Sequence, residues 1–288
     1  MSKKIALVLV LGVVIVGIFL LIEQDGPAPL TADEFAGEEI VIGGSRSVSP
    51  VIGQKLADAY MEKYPQRKII THDPTGTGGA IQGTDVGVLS IGFTSRPMQD
   101  KEKTKFPSLK YHLPIKDGLV FVVSIDVDVK NLSTQQILDI YRGKITNWSE
   151  LGGADAVITV FDRTTATSPK VTLTELLKFF PEGFQFGERV IDIGSPDGMD
   201  TAVETTPSAI GYTSFGTIQL RNLKVKAIGL DGVFPTAETI RSGTFPLYRE
   251  MGFVTKGDPS GLLADFVDYI FSSEGKQIIE SSGFIATF

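Results

Sequence analysis

Short apolar segments alternate with segments of helical periodicity along most of the 288-residue chain. The apolar segments are hydrophobic at successive positions, which is typical of strands covered on both faces of a sheet. This alternation predicts an α/β fold in which parallel strands are joined by right-handed crossovers. We expect strands at residues 39–44, 67–73, 88–95, 118–124, 156–163, 190–194, 209–216, 224–230 and 250–256, and helices that begin near Pro50, Gly79, Ser133, Thr172, Met199 and Ser260.

An uncharged apolar run, Ile5 to Ile22, follows Lys3 and Lys4 near the N-terminus. The run is long enough to span a bilayer, and the two lysines favour a cytoplasmic start with export of the remainder. The next residues, EQDGPAPL, contain no clear cleavage site between small residues. We therefore expect residues 1–35 to be an uncleaved membrane anchor and its tether. The alternative is a cleaved signal peptide and a secreted protein.

Composition and charge remove several classes of function. The net charge of −7 gives no basic field for nucleic acid. The absence of cysteine excludes disulfides, thiol catalysis and cysteine-ligated zinc. His72 and His112 are the only histidines, which disfavours a histidine metal site or a Ser-His-Asp triad. An anionic ligand would need a local positive site.

Polar loops follow four of the predicted strands, and they share hydroxyl residues, glycine or arginine. They read GGSRSVSP, DPTGTGGAIQ, SIGFTSRPM and VFDRTTATSP. Ser47 or Ser49 is expected to cap the helix that begins near Pro50. Lys170 adds positive charge after the fourth loop and is expected at the surface. The candidate ligand-binding residues are Arg46, Ser47, Thr77, Ser95, Arg96, Arg163 and Thr167.

This set of side chains is suited to holding a small oxyanion. In open α/β sheets ligands bind beyond the carboxyl ends of strands, and all four loops lie there. Arginine side chains, hydroxyls and free backbone N–H groups at helix starts all donate hydrogen bonds to anions. No nucleophile–base pair and no cluster of metal ligands is evident in the sequence. The sequence therefore predicts a binding protein without a cofactor rather than an enzyme.

The ordered motifs GSRSVSP, GTGGAIQ, IGFTSRPM, DGLVFVV, YRGKITNWSELGG, AIGYTSFG and SSEGKQII resemble those of the phosphate-binding proteins of ABC importers. The resemblance runs from residue 40 to residue 288, and GKITNWSELGG followed by AIGY is its most specific part. It implies a two-lobed periplasmic-binding-protein fold, type II, with a ligand cleft between the lobes. Lobe one would comprise residues 36–117 and 213–288, and lobe two residues 118–212.

The resemblance also implies which residues contact the ligand. The first motif gives Arg46 and Ser47, and the second gives Thr77, or Gly76 if the alignment shifts by one residue. The third motif gives Ser95 and Arg96. The fourth gives Arg163, Thr167 and Ser168.

Two departures from the family pattern concern the ligand. The family usually reads Arg-x-x-Gly-Ser-Gly-Thr in the fourth motif, whereas this chain has Ala166, Ser168 and Pro169 in place of the glycines and the threonine. Proline removes one backbone donor. Arg46 also stands where threonine or serine is common. Both departures cast more doubt on phosphate as the ligand than on the binding of an anion.

Asp117 is the candidate that would distinguish phosphate from sulfate. At neutral pH phosphate still carries a proton that a buried carboxylate can accept, whereas sulfate carries none and is repelled. Relatives have the same Asp-Gly pair before the following strand. A hinge or turn role is the alternative for Asp117, and Asp73 and Asp197 are weaker candidates.

We thus expect a monomeric extracytoplasmic receptor, anchored by residues 5–22, that captures inorganic phosphate and delivers it to ABC permease subunits. The first alternative is a receptor or sensor for another small oxyanion, not coupled to a phosphate importer. The second is an exported phosphatase, which would need a nucleophile or a metal.

Overall fold

The computed structural model describes residue 35 and residues 37–163, 168–193 and 196–288. Residues from Glu38 to Phe288 form one compact unit. Its strands are β1 (Glu39–Gly44), β2 (Lys68–Thr71), β3 (Ile91–Thr94), β4 (Leu109–Ser124), β5 (Asn131–Leu132), β6 (Thr159–Asp162), β7 (Ile191–Asp192), β8 (Ala209–Ser214), β9 (Val225–Ala227), β10 (Gly229–Leu230), β11 (Tyr248–Lys256) and β12 (Ile285–Ala286).

The α-helices of the same unit are α1 (Gln54–Lys63), α2 (Gly76–Asp85), α3 (Asp100–Lys105), α4 (Thr134–Tyr141), α5 (Ser168–Val171), α6 (Pro196–Thr205), α7 (Phe215–Leu220), α8 (Ala237–Ser242), α9 (Gly261–Ile270) and α10 (Ser273–Ser281). A π-helical turn, Ser49–Gly53, leads into α1, and a second, Thr172–Leu176, follows α5. A 3₁₀ turn spans Trp148–Leu151.

The main sheet has the strand order β2-β1-β3-β11-β4-β8-β6-β7. Strands β1, β2 and β3 pair in parallel, as do β6, β7 and β8. Strand β11 is antiparallel to β3 and β4, and β4 is antiparallel to β8. The α/β class is thus confirmed, but the expectation of a parallel sheet was wrong for β4 and β11. The second half of β4 and most of β11 are buried on two faces, and the resulting apolar pattern does not report strand direction.

The first half of β4 was not predicted as a strand, because it contains polar residues and Pro114. The β4–β11 ladder shifts register between Met251 and Phe253, at the level of Pro114. Such a bulge tolerates a residue that lacks the N–H donor. A Cβ on Gly252 would lie 1.8 Å from the carbonyl oxygen of His112 and 3.0 Å from Cδ of Pro114, so only glycine fits opposite this bulge.

The pairing partners of β4 change at the predicted lobe boundary. Residues up to Gly118 pair with β11, and residues from Leu119 onward pair with β8. The division into lobes stays a prediction. In the structure, β9 and β10, which were assigned to lobe one, pair with β4 beyond Leu119 and with β5. The segment that packs with the second half of β4 therefore extends past Tyr212.

The largest hydrophobic core surrounds the second half of β4. Trp148, Tyr141, Phe121 and Phe180 are all buried there. The indole Nε1 of Trp148 donates to the backbone oxygen of Ser208 at 3.0 Å. This core packs against β6 and β8, whose carboxyl ends are described below.

The predicted membrane anchor, residues 5–22, lies outside the described residues. Among the residues that the structure describes, no helix is both long and apolar enough to span a membrane.

Candidate functional site

The loop after β1 is shaped by Gly44. Its φ of +127° is a conformation that L side chains rarely adopt, and a Cβ there would lie 2.3 Å from the carbonyl oxygen of Phe93. The next residue, Ser45, donates its N–H to that oxygen at 2.8 Å. The backbone oxygen of Ser45 then accepts the N–H of Ser49 at 2.8 Å, which starts the helical turn. The prediction that the side chain of Ser47 or Ser49 caps this helix was wrong. The residue at the cap position is Val48, and no side-chain hydrogen bond caps the helix there.

The first three predicted loops are joined to one another by hydrogen bonds. Thr75 donates its N–H to Gly44 at 3.0 Å. Ser95 donates its N–H to Oγ1 of Thr77 at 3.1 Å, and the two hydroxyls are also 3.1 Å apart. The hydroxyls of Ser45 and Ser47 are 3.2 Å apart. Because β1 is the parallel neighbour of both β2 and β3, the carboxyl ends of the three strands bring these hydroxyl residues to one edge of the sheet.

The two arginines of these loops lie in different environments. Arg46 is exposed to solvent. Arg96 donates two hydrogen bonds to the carboxylate of Glu102, at 2.7 and 2.8 Å, and one to the backbone oxygen of Pro97 at 2.9 Å. The hydrogen bonds lower the pKa of Glu102 and raise that of Arg96. The guanidinium of Arg96 is thus directed at α3 rather than at the hydroxyl residues of the three loops.

Sequence reasoning missed Glu102. It also completes a capping box at the start of α3, where Gln99 donates its N–H to Oε2 of Glu102 at 2.8 Å. The spacing Gln-x-x-Glu before the short helix was the signal that could have found it.

The fourth predicted loop begins at Arg163, directly after β6, and Arg163 is only 3% exposed. The preceding carboxylate, Asp162, accepts from the hydroxyl of Tyr212 at 2.8 Å and from Nζ of Lys170 at 2.6 Å. Lys170 is therefore not at the surface, and that expectation was wrong. Thr167 lies outside the described residues, as does the side chain of Ser168, whose backbone begins α5.

Asp117 is buried at the position where the partners of β4 change. Its Oδ1 accepts from the hydroxyl of Ser214 at 2.5 Å, and its Oδ2 accepts from Nε and Nη2 of Arg249 at 3.0 and 2.7 Å. Arg249 lies on β11 and Ser214 ends β8. One carboxylate thus joins strands on both sides of the boundary. Neither partner was predicted from the sequence.

The strand ends face each other along β4. Continuing the ladder registers past the last paired residues puts Ser95 level with Ile115 and Arg163 level with Val120. Strand β3 runs in the direction of β4, and β6 runs against it. Four residues of β4 lie between these levels, so the levels are five residue steps apart along β4, or about 16 Å at about 3.3 Å per residue. Asp117 stands between them.

This arrangement is suited to binding an anion by hydrogen bonds from two sides. The β1–β3 end offers hydroxyls and backbone N–H groups, and the β6 end offers a buried arginine. Within the described residues no group of three or more acidic or histidine side chains is placed to hold a metal ion.

Comparison with known proteins identifies the class to which this chain belongs. A family model described as a PBP superfamily domain matches residues 29–274. The phosphate-binding protein PstS of Bacillus subtilis is 30% identical over 254 residues, which cover 88% of this chain and 82% of the relative. PstS of Borreliella burgdorferi is 28% identical over 86% of this chain and 90% of its own length.

Solved structures agree. A Clostridium perfringens protein described as a phosphate ABC transporter substrate-binding protein, solved with bound phosphate, is 32% identical with a TM-score of 0.67, over 86% of this chain and 99% of that chain. An ABC-type phosphate transport receptor from Vibrio cholerae is 27% identical with a TM-score of 0.70, over the same shares. The chain therefore belongs to the PBP superfamily and, within it, to the family of phosphate-binding proteins that includes the PstS relatives, which confirms the resemblance seen in the motifs.

Proposed function

We propose that the protein is an extracytoplasmic solute-binding protein that captures inorganic phosphate and delivers it to an ABC import permease. The observation that carries this proposal is the pair of facing strand ends, with hydroxyl residues on one side of Asp117 and buried Arg163 on the other. The relatives are named as phosphate-binding proteins and as a transport receptor rather than as enzymes. The proposed activity is therefore binding and release without chemical conversion.

The proposed ligand contacts come from both ends. The β1–β3 end contributes the hydroxyls of Ser47, Thr77 and Ser95, of which those of Thr77 and Ser95 lie 3.1 Å apart. Arg46, which is exposed, and Arg96, which is paired with Glu102, are proposed to contribute a smaller share of the attraction from the same end. The β6 end contributes Arg163, Thr167 and Ser168. Each charge-assisted hydrogen bond adds about 1.5–3 kcal/mol, so several together support micromolar or tighter binding after the cost of association.

Asp117 is the proposed acceptor of the phosphate proton. An ionised carboxylate has about four acceptor positions. Arg249 donates twice to Oδ2, whereas Oδ1 accepts from Ser214 and can accept one further donor. A protonated phosphate oxygen would supply that donor, and sulfate would not.

The two halves of the site are proposed to close on the anion by a hinge motion of two lobes, 36–117 with 213–288 and 118–212. Strands that cross the boundary support this, because β4 changes partners within one residue step between Gly118 and Leu119. Scattering measurements with and without phosphate test it, and an unchanged radius of gyration would contradict closure.

The location and partners are also part of the proposal. Residues 5–22 would anchor the chain in the cell membrane, or the chain would be secreted if they are cleaved. The soluble part acts as a monomer and docks on permease subunits. Fractionation of a C-terminally tagged full chain tests the anchor, and copurification with permease subunits tests the delivery.

The central experiment is calorimetric titration of residues 36–288, stripped of bound anion, with phosphate and then sulfate. We expect one-to-one phosphate binding at micromolar affinity or tighter, and at least about 100-fold weaker sulfate binding. Arg163→Gln is the test variant. Arg142→Gln is the control. Arg142 is the C-cap of α4, and its ion pair with Asp139, at 3.5 Å, lies within that helix and its cap.

A receptor for a different oxyanion is the second candidate. Ala166, Ser168 and Pro169 replace the glycines and the threonine of the family motif, and Arg46 is exposed in the first loop. A panel of arsenate, sulfate, molybdate and phosphonates in the same titration separates the two candidates. Tighter binding of one of these anions than of phosphate would replace the leading proposal.

A further inference from the structure

Lys170 forms a largely buried ion pair next to the proposed anion site. Its Nζ donates to Asp162 at 2.6 Å, and the exposed fractions of the two side chains are 13% and 3%. The same ammonium lies 3.8 Å from the ring centroid of Phe186 and 5.0 Å from that of Phe180. Burial lowers the pKa of Lys170, and the hydrogen bond with Asp162 opposes that shift.

Asp162 and Arg163 act on the same neighbours. Burial raises the pKa of Tyr212, Asp162 raises it further, and the positive charge and backbone N–H of Arg163 oppose the shift. The pKa of Tyr141 responds to both charges in the same way. The guanidinium carbon of Arg163 is 6.0 Å from the ring centroid of Tyr212. The negative charge of Asp162 is therefore held close to the arginine that would receive the anion.

A buried carboxylate beside an anion site works against binding unless its charge is cancelled. At a separation of about 8 Å and an effective dielectric constant of about 20, one negative charge opposes a bound monoanion on the order of 30-fold. Arg163 alone would only balance Asp162. With Lys170 present, the three side chains carry one net positive charge.

We propose that Lys170 is a further residue of the anion-binding function, and that it acts through Asp162 by cancelling the carboxylate charge beside Arg163. This inference rests on the proposed function. It assigns to this chain a second buried cation, which was expected at the surface from the sequence of the loop.

A double-mutant cycle tests the inference by phosphate titration. Lys170→Met keeps the length of the side chain and removes its charge, so we expect the Kd to rise on the order of 30-fold. Lys170→Arg keeps the charge and should bind within about threefold of the wild type. Asp162→Asn combined with Lys170→Met leaves Arg163 as the only charge of these three side chains, and we expect the double variant to recover most of the lost affinity, to within about fivefold of the wild type.

Recovery in the double variant separates charge from structure. If the ion pair only holds the fold, the double variant stays as weak as Lys170→Met, and that result overturns the inference. A Lys170→Met protein with a Kd within threefold of the wild type also overturns it. Thermal unfolding followed by circular dichroism shows whether each variant is folded. If Lys170→Met does not fold, Asp162→Asn alone decides the question, because it should bind phosphate at least as tightly as the wild type, and weaker binding overturns the inference.

Phosphate titration of the wild type distinguishes a failure of this inference from a failure of the proposed function. Wild-type binding of phosphate with no effect of Lys170→Met refutes the role of Lys170 and leaves the receptor standing. A wild type that binds no phosphate refutes both.

Discussion

The two strand ends that face each other across Asp117 are built from different chemistry. The β1–β3 end consists of hydroxyls linked by hydrogen bonds of 3.1–3.2 Å, its Arg46 is exposed, and its Arg96 is committed to Glu102. The β6 end buries the charges of Asp162 and Arg163, together with Lys170.

The difference indicates a division of labour between the two ends. Hydroxyls and backbone N–H groups supply geometry and form hydrogen bonds with little dependence on ionic strength. Buried charges supply most of the electrostatic attraction because they are screened much less than exposed ones. We therefore expect loss of charge at the β6 end to weaken phosphate binding far more than loss of a single group at the β1–β3 end.

Arg163→Gln should have the largest effect on phosphate binding. Two charge-assisted hydrogen bonds are worth roughly 3–6 kcal/mol, so the Kd should rise on the order of 1000-fold or more. Calorimetric titration measures the change beside Arg142→Gln, which should bind like the wild type. A loss below tenfold for Arg163→Gln would remove the β6 end from the site.

Asp117→Asn should lower the free energy of unfolding by about 3 kcal/mol, because it removes the ion pair between Asp117 and the buried Arg249. Urea denaturation measures this. The almost fully exposed Asp100 provides the control, and Asp100→Asn should change stability by less than about 0.5 kcal/mol.

The same Asp117→Asn protein tests whether Asp117 contributes to the selectivity for phosphate over sulfate. If Asp117 accepts the phosphate proton, the preference for phosphate over sulfate narrows in the titration. Unchanged selectivity with reduced stability would assign Asp117 to the hinge alone.

Thr77→Val should weaken phosphate binding by about fivefold, since it removes one neutral donor worth about 1 kcal/mol. The substitution also removes the acceptor for the N–H of Ser95. Thr104→Val, on the exposed side of α3, is the matched control. An effect as large as that of Arg163→Gln would contradict the proposed division between the two ends.

Arg46→Ala should have the smallest effect, about twofold at low ionic strength, because an exposed charge is screened by solvent and salt. Titrations at 20 mM and 300 mM sodium chloride check this, and the difference from the wild type should disappear at the higher concentration. A loss that persists in high salt would mean that Arg46 is desolvated against the ligand.

Much of the fold could be predicted from the sequence because strand and helix periods are local signals. Strand β1 has the predicted bounds, and α4 begins next to Ser133 as predicted, with the hydroxyl of Ser133 as its cap. The short helices α3, α7 and α8 were missed, since six residues carry too little periodicity.

The candidate site was predictable only in its parts. Hydroxyls and arginines after strands are visible in the sequence, and parallel pairing of β1 with both β2 and β3 is enough to bring Thr77, which follows β2, close to Ser95, which follows β3. The ion pairs were not visible. Arg249 is 132 residues from Asp117, and its contact depends on antiparallel pairing that no local pattern reports.

The most direct test of the account is a crystal structure of residues 36–288 with phosphate bound. The account predicts one phosphate between the two strand ends. Arg163 would lie within about 3 Å of it from the β6 end, and Ser47, Thr77 or Ser95 would lie within the same distance from the other. A phosphate bound elsewhere, or held by the β1–β3 end without Arg163, would contradict the account.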